Sequence, residues 1–239
     1  MIKSKLNTFY QEAMTNWWHW LFYVFCRVSL AFGFIAAGYV KIIGERFAAG
    51  LAVKHPMGSY LEALFHTGFY YTFIGVVQIL AGILLVIPRT VILGALLYFP
   101  IIINIGVLSW ALRFEGSLFT STLMIFANVY VLIYNYERLK FILPLKTENL
   151  NYNKPPIQKR DKKFPFKFFS VVFLTAVGVL FASNSFEVKP RTNYNDCVSQ
   201  FKDKLNQKPG FDFCDCIHNQ GNSLSECLTI YEETIKNYQ

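Results

Sequence analysis

The chain has 239 residues, of which 54% are hydrophobic, 18% aromatic and only 16% charged. This composition excludes an ordinary soluble domain, which needs more polar surface. The net charge of +8 does not indicate nucleic-acid binding, because the basic residues gather in one loop beside the apolar runs, where they set membrane topology. The sequence therefore predicts an integral membrane protein in the lipid bilayer, with no nucleic-acid partner.

Five apolar runs are long enough, or nearly so, to cross a hydrocarbon core of about 30 Å as helices. They are continuous rather than alternating, which favours helices over the strands of a barrel. The runs are residues 22–43, 69–87, 91–112, 118–136 and 164–182. The first run is longer than the apolar region of a signal peptide, so we expect it to remain as a transmembrane helix.

The distribution of Lys and Arg predicts the orientation. Residues 137–167 contain nine basic and three acidic residues, so this loop is expected to stay cytoplasmic. Counting helices from it places the N-terminus in the cytoplasm and the C-terminus outside an inner (plasma) membrane. The predicted fold is all-α. It comprises a four-helix membrane domain in residues 1–140, a basic cytoplasmic linker in 141–163, a fifth transmembrane helix in 164–182, and a small disulfide-stapled helical domain, periplasmic or otherwise extracytoplasmic, in 183–239.

A few polar side chains interrupt the apolar helices and are candidates for a site inside the membrane. Arg27 lies more than one turn inside the first helix, where a charge should face protein, water or a partner. Gln78, Asn104 and Asn128 occur at similar depths in the next three helices. We expect these amides to point into the bundle. They would form either interhelical hydrogen bonds or a polar site near the midplane for a quinone head group, a proton or a small substrate.

The C-terminal segment contains four of the five cysteines: Cys197, Cys214, Cys216 and Cys227. An even number of cysteines on the oxidising side of a membrane is typical of disulfides. A bond within Cys-x-Cys would be strained. Two pairings therefore remain open, 197–214 with 216–227 or 197–216 with 214–227.

Helical spacing supports a compact fold for this segment. One apolar stripe runs from Tyr194 to Leu205, and another runs from Leu224 to Ile235. Structural disulfides are the favoured interpretation, because so short a segment buries little core of its own. The alternatives are a redox-active Cys-x-Cys near His218 and, less favoured, a zinc site, so no metal is predicted. The remaining Cys26 is interpreted as a packing residue.

Two stretches of the membrane domain resemble a known family. They are "RVSLAFGFIAAGYVKIIG" and "GVVQILAGILLVIPRTVILGALLYFPIIINI". They are similar to the DoxX-like family of small four-helix membrane proteins, whose first helix carries an Arg followed by Gly-x-x-Lys, matched here by Arg27, Gly38 and Lys41. The resemblance covers about residues 22–140 and adds Lys41 to the candidate site. The family's second helix often has a Glu where this chain has Gln78. The resemblance implies membership of a membrane-bound redox assembly, with relatives linked to quinone reduction, thiol metabolism or disulfide maturation.

Two classes of function follow from these observations. In the first, the chain is a non-catalytic accessory subunit of a redox-linked membrane assembly, and its extracytoplasmic tail docks a membrane or periplasmic protein. In the second, it is a membrane oxidoreductase component that links thiols to a quinone cofactor. The first is favoured, because no complete catalytic set is visible: the sequence has no Cys-x-x-Cys, and Cys26 has no second cysteine near it in the membrane helices.

Overall fold

The computed structural model describes Tyr10 and residues 14–142 and 161–238. Within these residues every regular element is helical, as predicted. The elements are α1 (Trp17–Ile42), α2 (Pro56–Phe65), α3 (Phe69–Val86), α4 (Val91–Ala111), α5 (Glu115–Tyr134), α6 (Tyr136–Ile142), α7 (Phe166–Asn184), α8 (Tyr194–Ser199), α9 (Gln207–Asp215), a π-helical turn (Cys216–Gln220) and α10 (Leu224–Tyr238).

Five of these helices, α1, α3, α4, α5 and α7, are long and apolar enough to cross a membrane. The first four form a bundle in which α1 packs against α3 and α5, and α4 packs against α3 and α5. Helix α7 lies against α5, and Phe168 near its start contacts the rings of Phe22 and Tyr130. The chain is therefore a multi-pass membrane protein, and the predicted all-α class is confirmed.

Small residues let α1 and α3 approach closely. A Cβ atom on Gly38 would lie 2.6 Å from the carbonyl oxygen of Gly75, and one on Gly82 would lie 3.0 Å from the carbonyl oxygen of Ala31. Close packing of this kind replaces the hydrophobic driving force that lipid removes from helix association. It also sets the relative height of the two helices, which determines where the polar side chains of α1 meet α3.

Residues 185–238, hereafter the tail, have a separate apolar core. Helices α8, α9 and α10 and the π-helical turn surround buried side chains that include Phe201, Phe213 and Tyr231. A Cβ atom on Gly210 would lie 2.1 Å from the ring of Phe201, so this ring packs directly on the α9 backbone. Most of the predicted linker, residues 143–160, lies outside the described residues.

The predicted apolar stripe from Tyr194 to Leu205 is wrong at its end. Helix α8 stops at Ser199, and Asp203 has a positive φ of 60°, which a helix does not accommodate. The chain turns there, and the side chain of Leu205 is fully exposed instead of joining the tail core. The other predicted stripe is present on α10, where Leu224, Cys227 and Tyr231 are buried.

Candidate functional site

Two of the predicted intramembrane amides lie in the core of the bundle. Gln78 is 2% exposed and Asn128 is completely buried. The side-chain NH₂ of Asn128 donates to the carbonyl of Ala95 at 3.1 Å. However, the side-chain oxygens of Gln78 and Asn128 and the hydroxyl of Tyr98 have no hydrogen-bond partner among the described residues. Unpaired polar atoms in an apolar interior are costly, so each of these three groups has the capacity for a further hydrogen bond.

Asn104 does not belong to this group, and the expectation that it points inward is wrong. Its side chain is exposed on the outside of α4, whereas Ala95 and Tyr98 are fully buried on the same helix. Asn104 follows Ala95 by nine positions, which is about two and a half helical turns and therefore the opposite face. Similar depth in the membrane did not imply a shared direction.

Arg27 connects α1 to the end of α3 by hydrogen bonds. It is buried, and its guanidinium donates from Nε to the carbonyl of Leu85 at 2.9 Å and from Nη2 to the carbonyl of Val86 at 2.8 Å. These are the last two carbonyls of α3, which have no partner within the helix and carry the negative end of its dipole. The ring of Tyr23 lies 5.1 Å from the guanidinium carbon. The guanidinium of Arg27 thus caps the C-terminal end of α3 with a positive charge.

We expect Arg27→Leu to destabilise the bundle although it makes α1 more hydrophobic. The change leaves two buried carbonyls without donors, at a cost of about 2–3 kcal/mol, which corresponds to a fall in Tm of roughly 5–10 °C for a chain of this size. Arg27→Lys should give an intermediate value, since one ammonium cannot span both carbonyls as a planar guanidinium does. Thermal unfolding of the detergent-purified protein measures the difference.

The matched control is Arg89→Leu, which removes an exposed arginine from the turn between α3 and α4 and should leave the Tm nearly unchanged. An unchanged Tm for Arg27→Leu would instead show that Arg27 only extends its charge to the membrane surface.

Lys41 lies in the last turn of α1. Its ammonium donates to the carbonyl of Ala37 at 3.0 Å and faces the rings of Phe47 at 4.6 Å and Tyr71 at 5.8 Å. The hydroxyl of Tyr71 in turn donates to the carbonyl of Glu45. Lys41 therefore holds the connection after α1 against the bundle by cation–π contacts. Fourteen positions separate it from Arg27, about 21 Å along a helix, so the predicted site residues do not converge on one point.

The tail cysteines form two disulfides, Cys197–Cys214 and Cys216–Cys227. This is the first of the two pairings that the sequence left open. All four cysteines are buried in the tail core, and the two cysteines of Cys-x-Cys are bonded to different helices. Cys26, by contrast, is free and buried in the membrane domain. The arrangement staples α8 to α9 and the π-helical turn to α10.

The tail is attached to one end of the bundle by a carboxylate between two cations, hereafter the clamp. Glu115, the first residue of α5, pairs with the ammonium of Lys189 at 3.0 Å and with the guanidinium of Arg191 at 2.7 Å. The Lys189 side chain is only 7% exposed, and it also donates to the side-chain oxygen of Asn184. Nearby, Arg113 donates to the carbonyl of Val188 at 2.9 Å. No local sequence pattern indicates the clamp, because Lys189 and Arg191 lie 74 and 76 positions after Glu115.

A second contact joins the tail to the connection between α1 and α2. His55 is completely buried, and its Nδ1 accepts a hydrogen bond from the backbone N–H of Met57, which places the ring proton on Nε2. His218 donates from Nε2 to the carbonyl of Pro190 at 2.7 Å. The two ring centroids are 5.8 Å apart, and Lys54 donates to the carbonyl of Asn219 beside them. The hydrogen bond from Met57 therefore requires a neutral ring at His55.

The surroundings of these histidines oppose protonation. Burial, together with the nearby His218, lowers the pKa of His55 to about 4. The backbone of Arg191 acts in the opposite direction, although Nε2 of His55 has no partner in hydrogen-bond geometry among the described residues. Burial also lowers the pKa of His218, against the effect of the Pro190 carbonyl. Protonation of His55 or His218 is therefore disfavoured while the tail is attached.

We expect acid to weaken the attachment of the tail. A detached His55 would titrate near its ordinary pKa of 6.5. Attachment is therefore fully favoured above that pH and loses stability as the pH falls from 6.5 towards 4. Between pH 7.5 and pH 5, protonation of His55 alone should reduce the equilibrium constant for attachment of the tail about 30-fold. Hydrogen exchange at the two pH values, corrected for the intrinsic rate, should show new exposure in residues 52–58 and 188–192.

The control is a variant with both His55→Asn and His218→Asn. The asparagine at position 55 still accepts from the N–H that His55 caps but does not titrate, so the exposure should no longer depend on pH in this range. A pH response as large as that of the unmodified protein would assign the effect to other groups.

Comparison with known proteins gives little further information. No protein-family model matches the chain, and no solved structure matches it. A similar protein is the uncharacterized protein YwoB of Bacillus subtilis (strain 168), which is 34% identical over 96 residues. The aligned part is 35% of this chain and 58% of YwoB, so the chain spans little more than half the length of that relative.

Proposed function

We propose that this chain is an accessory subunit of a redox-linked assembly in an inner (plasma) membrane, with its N-terminus in the cytoplasm and its tail outside. The tail docks a membrane or periplasmic partner. The nine basic residues of the 137–167 loop support this orientation. The loop between α1 and α3, the turn before α5 and the tail meet at one end of the bundle, which agrees with the sidedness obtained by counting helices. The link to redox assemblies depends on the DoxX-like motif of Arg27, Gly38 and Lys41.

One observation carries the docking role: the tail is a disulfide-stapled platform that ion pairs attach to the membrane domain. Two disulfides staple it internally, and Glu115 of α5 clamps it through Lys189 and Arg191. A platform that is already ordered loses less conformational entropy when a partner binds.

The surface of the platform offers an apolar anchor. Leu205 is a fully exposed leucine on a turn that projects from the tail core. Ile230 and Tyr194 are also exposed on the tail. An exposed leucine by itself is common, but on a stapled platform it offers apolar area that a partner would remove from water.

The disposition of the cysteines supports a structural tail over a thiol-exchanging one. A redox-active cysteine has to be accessible and stabilised as a thiolate, whereas both disulfides are buried. Cys26, the free thiol, lies on α1 sixteen positions before its tail-facing end, about 24 Å along the helix. Thiol exchange between Cys26 and the tail would require a large rearrangement.

Photo-crosslinking in intact membranes tests this role. A photoreactive amino acid at Leu205 is expected to give one protein adduct of defined mass, which mass spectrometry would identify. The same amino acid at Phe173, an exposed residue in the middle of α7, is the control and should capture only lipid or adjacent membrane helices. If position 205 gives no protein adduct in cells that express the chain from its own promoter, the docking role is wrong.

A further inference from the structure

A groove of about 480 Å³ lies between α10, the segment that follows α7, and the end of α4. Its position relative to the bilayer follows from the helices beside it. Ser185 is the first residue after α7, and Arg113 is the second residue after α4. Both helices are long and apolar enough to span the membrane. The groove is therefore at the level of the lipid head groups on the tail side of the membrane.

Two cations and two carboxylates line the groove, and no ion pair joins them within the described residues. Arg113 donates from Nη1 to the carbonyl of Val188 and lies over the ring of Phe186, and its side chain makes no other hydrogen bond within the described residues. Glu187, Glu232 and Lys236 also line the groove. None of these three has a hydrogen-bond or ion-pair partner among the residues that the structure describes. Four charged groups thus line one space, and Glu187, Glu232 and Lys236 are exposed and accessible to a ligand that enters it.

The walls between these charges are apolar. Phe186, Leu228 and Ile235 line the groove beside the charged groups. A soluble ion would gain nothing from such walls, whereas the glycerol backbone and the first methylene groups of a lipid would bury apolar area there. The ligand that fits has a charged head and an apolar body.

We propose that this groove binds the head group of phosphatidylethanolamine, with its phosphate at Arg113 and Lys236 and its ammonium at Glu187 and Glu232. Arginine and phosphate form strong charge-assisted hydrogen bonds. The primary ammonium supplies three N–H donors for the carboxylates, and these are absent from the quaternary ammonium of choline. The two carboxylates also disfavour purely anionic head groups such as phosphatidylglycerol. The lipid would wedge between the tail and the bilayer and stabilise the attached position of the tail.

The test uses the full-length protein in mild detergent, with equimolar phosphatidylethanolamine, phosphatidylcholine and phosphatidylglycerol, and counts retained lipids by native mass spectrometry. We expect one phosphatidylethanolamine per chain, retained at least tenfold more than either competitor. A Glu232→Gln and Lys236→Gln double variant should lose most of that preference. Within the described residues, neither side chain makes a hydrogen bond or an ion pair that holds the tail. The control is Glu233→Gln with Lys204→Gln, which has the same change in charge on exposed tail residues outside the groove.

A second measurement on the unmodified protein does not depend on the folding of any variant. Phosphatidylethanolamine with a photoreactive group near its phosphate should crosslink to peptides that contain residues 185–188 or 228–236. Equal retention of the three lipids, preferential retention of phosphatidylglycerol, or crosslinks confined to other parts of the chain would each overturn the proposal.

Discussion

Glu115→Gln is expected to detach the tail from the membrane domain while both remain folded. The carboxylate pairs with Lys189 and Arg191, and its loss leaves the ammonium of Lys189 buried without a counter-ion. Breaking a fully buried ion pair costs about 3–5 kcal/mol, and an exposed pair contributes at most about 1 kcal/mol. Because Glu115 and Arg191 are about one-third exposed, we expect an intermediate cost of about 2 kcal/mol, or roughly a 30-fold shift towards the detached form.

Hydrogen exchange or limited proteolysis of the segment that joins α7 to α8 measures this shift. Residues 185–193 should lose protection, whereas the disulfide-bonded core and the four-helix bundle should keep theirs. Glu226→Gln is the matched control, because it neutralises an exposed carboxylate on α10 that forms no ion pair among the described residues. Equal protection of residues 185–193 in Glu115→Gln and in the control would mean that the clamp does not hold the tail.

Cys197→Ser is expected to unfold the tail and leave the bundle intact. The bond from Cys197 to Cys214 closes a loop across 17 positions, and its stabilisation in the chain-entropy model is roughly 3 kcal/mol. The tail has a small core of its own, and a core of that size supplies only a small free energy of unfolding. New protease sensitivity should therefore appear between residues 193 and 239. The bundle does not depend on these bonds and should stay inserted.

Cys26→Ala provides the control, since it removes a cysteine from the membrane domain and should leave the tail resistant to protease. A redox-active tail would behave differently. Cys214→Ser or Cys216→Ser would then abolish turnover of a thiol substrate while the tail stayed resistant. That pattern would favour the oxidoreductase over the accessory subunit.

The membrane domain could be predicted from sequence because lipid imposes a simple rule: a spanning helix has to be apolar over its whole length. The observed spans begin and end within a few residues of the predicted runs, except at the start of α1, where the tryptophans of the 17–20 segment already belong to the helix. Direction around a helix was harder to predict. Gln78 and Asn128 point inward, but Asn104 faces outward, since depth alone does not determine the face.

The long-range polar contacts could not be predicted. Glu115, Lys189 and Arg191 are ordinary charged residues near helix ends, and no local pattern indicates that they meet. The disulfide pairing could not be predicted from sequence either, because both open pairings close loops of acceptable length. Packing decides between them: in the folded tail Cys214 lies against α8 and Cys216 against α10.

The most direct test of a structural, partner-docking tail is non-reducing peptide mapping of protein taken from the native membrane, with free thiols trapped in acid. We expect quantitative Cys197–Cys214 and Cys216–Cys227 bonds and a free Cys26. This result requires both an oxidising location for the tail and cysteines that are not in exchange. A substantial fraction of Cys214 or Cys216 trapped as free thiol would contradict it, and would indicate either a cytoplasmic tail or a redox-active one.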